Sequence, residues 1–286
     1  MTTAQIGDSG IVLNGGPDGE GVVWRWLVGS DPWQAPEPRD ESGDNSFAHG
    51  TWNGTEFYGP RMQDLAVRVQ APSHAALHEA HDRWKAAVGL HDFQLTIAEP
   101  HVTRWGLMRR RGSMPWTEDT SGGSGGRAKA STSVSLQGDD PLIYGLEQRT
   151  ASTGYPSTVG GLSWPAQWPA TWDAEVESGL LQLDNAGNEP AEVLWRIDGP
   201  VSRPRIIDTI TNDWFALDLD LAAGEWVTVD SATRQVLMLG QQGASRRPLW
   251  SGKWLTVPKG GRLFAFAGAA GSAPASATAS WWPTWI

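Results

Sequence analysis

Three histidines fall within one short stretch, His74, His78 and His81, with Asp82 beside the last. Side chains three and four apart share a helix flank, a spacing that divalent metals use. The order His78-Glu79-Ala80-His81 is not the His-Glu-x-x-His of zinc hydrolases, so the cluster reads as the solvated flank of a helix. Gly122-Gly-Ser-Gly-Gly126 has the outline of a nucleophile elbow. That chemistry needs a strand feeding a helix, with the serine on a strained turn. Here the flanks are more Gly, Ser and Thr, the composition of a mobile hairpin tip. Asp218, Asp220, Glu225 and Asp230 supply carboxylates, but no pattern sets two of them across a cleft as glycoside hydrolysis requires. The chain has no cysteine, which removes disulfides, thiolate catalysis and cysteine metal sites together. These residues point away from an enzyme and call for no metal and no cofactor.

What remains is suited to binding other macromolecules. Arg109-Arg110-Arg111 is the one basic run, and in an acidic chain it suits carboxylates of a neighbouring subunit better than nucleic acid. The formal net charge is −10, with 12 Lys and Arg against 18 Asp and Glu up to Gly145 and 10 against 14 after it. Neither half has the basic footprint of a phosphate-binding surface. Tryptophan is the outstanding residue: 18, against 3 tyrosines and 6 phenylalanines. A buried indole hides roughly 150–250 Å², worth at most about 4–6 kcal/mol. Such rings fill cores and interfaces, or else lie exposed as platforms for sugars; composition leaves both open. Trp164-Pro-Ala-Gln-Trp168-Pro-Ala-Thr-Trp172 spaces three of them by four, but Pro165 and Pro169 forbid a helix, so the segment is extended.

The elements that position these groups follow from periodicity. Val22, Trp24, Trp26 and Val28 alternate with Val23, Arg25 and Leu27; Leu65, Val67 and Val69 alternate with polar neighbours; so do Phe93, Leu95 and Ile97. A period of two marks half-buried strands. One helix interrupts them, capped by Ser73 and stopped by Gly89, with Leu77, Ala80, Trp84 and Val88 on the face turned to the sheet. Between the first two strands, Gly29 to Pro60 is irregular yet carries Trp33, Phe47, Trp52, Phe57 and Tyr58. A loop of that length is functional or disordered, and its aromatics argue that it lies against something. Residues 146–161 read as a linker. Beyond it, short strands recur about every ten residues: Leu180–Asp184, Ala191–Asp198, Trp214–Leu221, Trp226–Asp230, Val236–Leu239, Trp254–Val257, Leu263–Ala267 and Ala277–Trp282. That rhythm predicts an antiparallel β-sandwich without a helix. The start of the chain has no basic, then apolar, run of a secretory signal, so Asn53-Gly54-Thr55 is read as a chance sequon, and no apolar run is long enough to insert in a membrane.

In its order of motifs the chain resembles the distal tail proteins of siphophages, the minor tail proteins of phages infecting actinobacteria. The motifs are Trp164-Pro165 and Trp168-Pro169, the turn Asn185-Ala-Gly-Asn188, Trp195-Arg-Ile-Asp-Gly-Pro200, Pro204-Arg-Ile206 leading to Trp214, and Leu221-Ala-Ala-Gly-Glu-Trp-Val-Thr-Val-Asp230 leading to Arg246-Arg247. Trp254-Leu255 with Pro258-Lys-Gly260 and a last strand ending at Trp285 complete them. The first half adds the helix, Val134-Ser-Leu136 and Asp140-Pro-Leu-Ile-Tyr144; Gly261-Arg262 and the Trp-Trp-Pro ending depart from the family pattern. The resemblance implies a mainly β protein: residues 1–145 a β-sandwich with one α-helix that forms a ring, and 162–286 a galectin-like antiparallel β-sandwich. It implies a hexamer at the distal end of the virion's tail, made in the host cytoplasm, joining the tail tube to the baseplate or adhesion apparatus. Its partners would be itself, the tail tube protein, the tail-tip hub and other minor tail or receptor-binding proteins, with DNA met only as it passes through the lumen. The residues singled out for such contacts are Trp33, Phe47, Trp52, Phe57, Tyr58, Arg109, Arg110, Arg111, Trp164, Trp168 and Trp172. The competing reading is a carbohydrate-binding β-sandwich that uses tryptophan platforms.

Overall fold

Alternating burial runs through most of the longer strands of the computed structural model, which describes residues 2–27, 32–52, 54–119, 127–159, 175–239 and 243–286, without the side chains of 157–159 and 175–177. The Gly/Ser tip 120–126, the Trp164–Trp172 segment, Val28 and Asn53 lie outside the described residues. The chain divides into two units, residues 1–146 with Ile286, and residues 147–285.

The first unit comprises β1 (Thr3–Ile6), β2 (Val12–Leu13), β3 (Val23–Trp26), β4 (Pro38–Arg39), β5 (Gly43–Asp44), β6 (Thr51–Trp52), β7 (Phe57–Tyr58), β8 (Arg61–Ala71), α1 (His74–Ala87), β9 (Phe93–Ala98), β10 (Thr103–Arg111), β11 (Trp116–Glu118), β12 (Ala128–Gly138) and β13 (Ile143–Gly145). Its strands run in the order β2-β1-β9-β10-β12-β8-β3, all antiparallel. β10 serves three ladders: Thr103 to Met108 pair with β9, Arg104 and Trp105 with β13, and Arg109 to Arg111 with β12. β8 and β12 pair along eleven positions, from Ala128 opposite Ala71 to Gly138 opposite Arg61. On the inner face Leu65, Val67, Val69, Val134 and Leu136 are buried. Asn14 joins β2 to β3, its N–H donating to Trp24 O (2.8 Å) and its side-chain oxygen accepting from Trp26 N–H (3.0 Å).

The helix forms where the sequence predicts it. Ser73 caps it in extended conformation, its hydroxyl oxygen accepting from Ala76 N–H at 3.1 Å, which satisfies one of the first-turn donors. Leu77, Ala80 and Trp84 are buried, and the Trp84 indole stacks on Trp24 with centroids 5.5 Å apart. A second tie comes from Asp18. It accepts hydrogen bonds from the Val22 N–H (2.8 Å), the Trp24 indole N–H (3.1 Å) and the Arg83 guanidinium (2.9 Å). Burial pushes the Asp18 carboxyl up, but those hydrogen bonds, with Arg83's charge, outweigh it and hold the group below its ordinary value.

The second unit comprises β14 (Arg149–Gly154), β15 (Ser157–Val159), β16 (Glu175–Glu177), β17 (Leu180–Leu183), β18 (Ala191–Asp198), β19 (Val201–Ser202), β20 (Arg205–Asp208), β21 (Trp214–Leu217), β22 (Asp220–Leu221), β23 (Trp226–Asp230), β24 (Gln235–Met238), β25 (Trp250–Gly252), β26 (Thr256–Val257), β27 (Arg262–Ala267), β28 (Ala270–Gly271), β29 (Ser276–Trp281) and β30 (Thr284–Trp285). Two antiparallel sheets, β14-β29-β18-β23-β24 and β17-β27-β20-β21-β25, bury their facing side chains in one core. Trp195 lies within it, edge-on to Phe215 and Phe264. The helical geometry described here is a single 3-10 turn, Arg247–Leu249.

The Asn185-Ala-Gly-Asn188 turn shows why those residue types stand there. Buried Asn185 donates to Glu189 O (2.7 Å) and Val257 O (2.9 Å) and accepts from Gly187 N–H (2.9 Å) and Thr284 N–H (3.3 Å), so every side-chain capacity is used. A Cβ at Gly187 would stand 1.7 Å from Thr284 O, so only glycine fits.

Two expectations are corrected. The stretch 146–161 is not simply a linker: Arg149–Gly154 is a strand in full register with β29. It occupies a sheet edge, where only Ala151 and Tyr155 beside it pack on the core, so a strand here needs little apolar sequence. The irregular Gly29–Pro60 stretch contains two short ladders, β4 with β7 and β5 with β6.

Candidate partner-binding surfaces

Those two ladders make an arm. Pro38 pairs with Tyr58, Gly43 with Trp52, and the tip is closed by Asn45 N–H donating to Gly50 O at 3.0 Å. Glycines allow the two sides to approach. A Cβ on Gly43 would meet the Trp52 ring nitrogen at 2.9 Å, and one on Gly54 the Glu41 backbone at 2.6 Å. Along the arm nearly every residue is exposed. Phe47 is wholly so (103%), and Trp52, Phe57 and Tyr58 are half exposed. Arg39 lies over the Phe57 ring, 5.8 Å from its centroid. The arm is also acidic, carrying Glu37, Asp40, Glu41, Asp44 and Glu56. Exposed aromatics of this kind make the arm a candidate contact surface.

Trp33, grouped with these rings by its place in the sequence, is instead buried in the first unit. It packs 3.7 Å from where a Gly106 Cβ would stand and under the guanidinium of Arg61. Arg61 is itself fully buried and donates to Pro141 O at 2.8 Å and to Gln34 O. Trp33 is therefore a core residue.

The basic run is likewise used inside its own unit. Arg109 pairs with Asp139 and lies 3.9 Å from Asp92; Arg111 donates to the Gln137 side-chain oxygen at 2.6 Å. Arg110 is half-buried, its backbone N–H 3.4 Å from Gly89 O. Strand pairing brings Arg109 and Arg111 beside β12 and its turn, a long-range neighbour that local sequence does not reveal. Among the histidines, His81 stacks on Trp116 (centroids 4.4 Å apart), and burial, with Lys85 nearby, lowers its affinity for a proton. Among the described residues no group of three His, Asp or Glu side chains is placed to hold a metal. A groove of about 640 Å³ on the first unit is lined by Thr3, Gln5, Thr96 and other polar side chains of a sheet face.

One surface escaped the sequence reading. On the outer face of β3-β8-β12, Arg25 stands directly opposite Arg68, and Arg68 has Ser131 of β12 opposite it on the other side, two residues along from Lys129. All four are exposed, and neither arginine has an ion-pair partner among the described residues. Like charges in register cost roughly 0.2–1 kcal/mol, a cost that an anionic partner removes. The signal was present: alternation with Trp24 and Trp26 puts Arg25 outside.

The fold defines a two-domain, all-antiparallel β protein with one α-helix among the described residues. It is shared with the Dit protein (gp 19.1) of phage SPP1, described as a paradigm of the hub adsorption apparatus of phages infecting Gram-positive bacteria: TM-score 0.59, 14% identity, 100% of each chain covered. A chain of the phage P2 baseplate, in its activated conformation with calcium, is similar over 100% of this chain and 98% of its own, with TM-score 0.50 and 9% identity. No protein-family model and no curated protein matches the sequence.

Proposed function

We propose that this chain is a structural protein of a phage tail, a subunit of a ring at the tail's distal end that joins the tube to the baseplate or adhesion apparatus. The observation that carries this reading is a fold shared, end to end, with the SPP1 Dit protein. The surfaces agree with it. An exposed aromatic arm and a face of uncompensated arginines suit protein contacts, in which Trp, Tyr and Arg supply most of the energy. The acid on the arm and the base on the β3-β8-β12 face are complementary, so that copies of the chain meet head to tail; such heterologous contacts close into a ring when the rotation permits, here sixfold. The role is non-enzymatic, and further partners are the tail tube and the tail-tip proteins that the ring holds.

Cryo-electron microscopy of intact particles tests this. The expected result is six copies of the chain around the distal end of the tail tube. Finding it in the capsid, or in no particle at all, contradicts the reading.

A further inference from the structure

Outward-facing residues of the second unit's β17-β27-β20-β21-β25 sheet line a groove. Ile206, Phe215 and Leu217 are buried, while Arg205, Trp214 and Ala216 alternate with them on the outer side. Arg205 pairs with Ala216 and Ile207 with Trp214, which makes Arg205 and Trp214 diagonal neighbours. The guanidinium carbon of Arg205 lies 4.4 Å from the Trp214 ring centroid. Small residues, Ala216 opposite Ser251, leave a groove of about 500 Å³ beside Trp214, closed at one end by Pro248, Leu249 and Trp250, which stands opposite buried Leu217 and packs against the core. At its rim Arg203 pairs with Asp218 at 3.2 Å. Behind it Trp250 stacks on Trp254 (4.3 Å, 13°), and Arg247 covers both rings at 4.4 and 5.0 Å.

The charges around this groove are out of keeping with the unit. Acids outnumber bases after Gly145, yet Arg205 and Arg247 have no carboxylate partner among the described residues, and the Arg205 Nε has no hydrogen-bond partner. A guanidinium laid on an indole is held there by the ring's electron-rich face, so its plane is set before any ligand arrives. A planar fork fixed in this way matches the paired oxygens of a carboxylate or phosphate. The Trp214 indole beside it offers a flat apolar surface to the C–H face of a sugar ring. Asp218, Arg203 and Ser251 supply the acceptors and donors that hydroxyl groups require. A volume near 500 Å³ falls in the range of small-ligand sites. An added peptide strand is a poorer fit: the edge strand β25 has three residues, follows Pro248 in a 3-10 turn, and ends at Gly252 with φ 111°, too short a template for strand addition.

We infer that this groove binds an anionic saccharide, with Trp214 taking the sugar ring and Arg205 its carboxylate or phosphate. Titration calorimetry on the full-length chain tests it, with a glucuronate-containing hexasaccharide, a phosphorylated oligomannoside and neutral chitohexaose as probes. The expected result is that an anionic probe binds at least about tenfold tighter than chitohexaose, a charge-assisted hydrogen-bond effect; which anionic probe wins distinguishes carboxylate from phosphate. Arg205→Met is expected to erase that preference. Ser251→Trp, placed on an exposed edge where folding tolerates bulk, is expected to fill the groove and weaken binding by more than about tenfold. The inference is overturned if no probe binds, as it would be if the groove takes an acidic protein segment. It is overturned equally if neutral and anionic probes bind alike, or if Ser251→Trp binds as the parent does.

Discussion

Trp84 and Trp52 are the same residue put to opposite uses. Trp84 is fully buried, stacked on Trp24 where α1 meets the sheet. Trp52 is half exposed on an arm whose backbone ladders span two residue pairs each. The core indole gains its energy within the chain, from area removed from water. The arm indole, half exposed, can bury the rest of its area only against another molecule. High tryptophan content therefore carries two separate meanings here, one about folding and one about assembly, and substitutions should separate them.

The largest effect belongs to the core. Trp84→Ala is expected to destabilise the first unit by about 3–5 kcal/mol, read as a fall in the urea midpoint. A loss under about 1 kcal/mol would mean that α1 is held by something other than its indole. Next comes the turn that ties the helix from behind. Asp18→Asn is expected to cost about 1–2 kcal/mol at neutral pH, because Asn replaces a charged acceptor with a neutral one. The sign of its pH dependence follows from the depressed carboxyl. Its contribution is full above the ordinary value of 3.8 and is lost as pH falls through the lower folded-state value. Below about pH 4 the parent and Asp18→Asn chains should therefore converge in stability. Parallel curves across that range would show that Asp18 carries no net linkage.

Smaller effects fall on the surfaces. Arg25→Glu with Arg68→Glu should lower incorporation into particles about tenfold, and Asp40→Lys with Glu41→Lys in the same chain should restore part of it. Equal loss with and without the arm changes would separate the two faces. Smallest of all, Phe47→Ala should leave the stability of the isolated chain within about 0.5 kcal/mol, because the ring touches nothing in its own unit, while particle yield falls.

Much of the fold was legible. Ser73 and the spacing of Leu77, Ala80 and Trp84 located the helix, and alternation placed Trp24, Val67, Leu95 and Ile97 in cores. These signals are local, repeated every two or four residues. The arm was legible only as an aromatic stretch, since two-residue ladders leave no periodicity. Arg149–Gly154 was hidden because an edge strand of Thr, Ser and Gly resembles a loop in composition. The surfaces fared worst for a plainer reason. Whether Trp33 is covered by Arg61, Arg109 neutralised by Asp139, or Arg205 laid over Trp214 depends on strands brought together across tens of residues, and one chain's local pattern does not encode those meetings.

The most direct test of the account is hydroxyl-radical footprinting of the chain, first isolated and then within intact particles. Trp24, Trp84 and Trp195 should resist labelling in both states. Phe47, Trp52, Phe57 and Tyr58 should label readily in the isolated chain and become protected in the particle. Arm aromatics that label equally in both states would contradict the claim that this protein works by burying them against neighbouring chains.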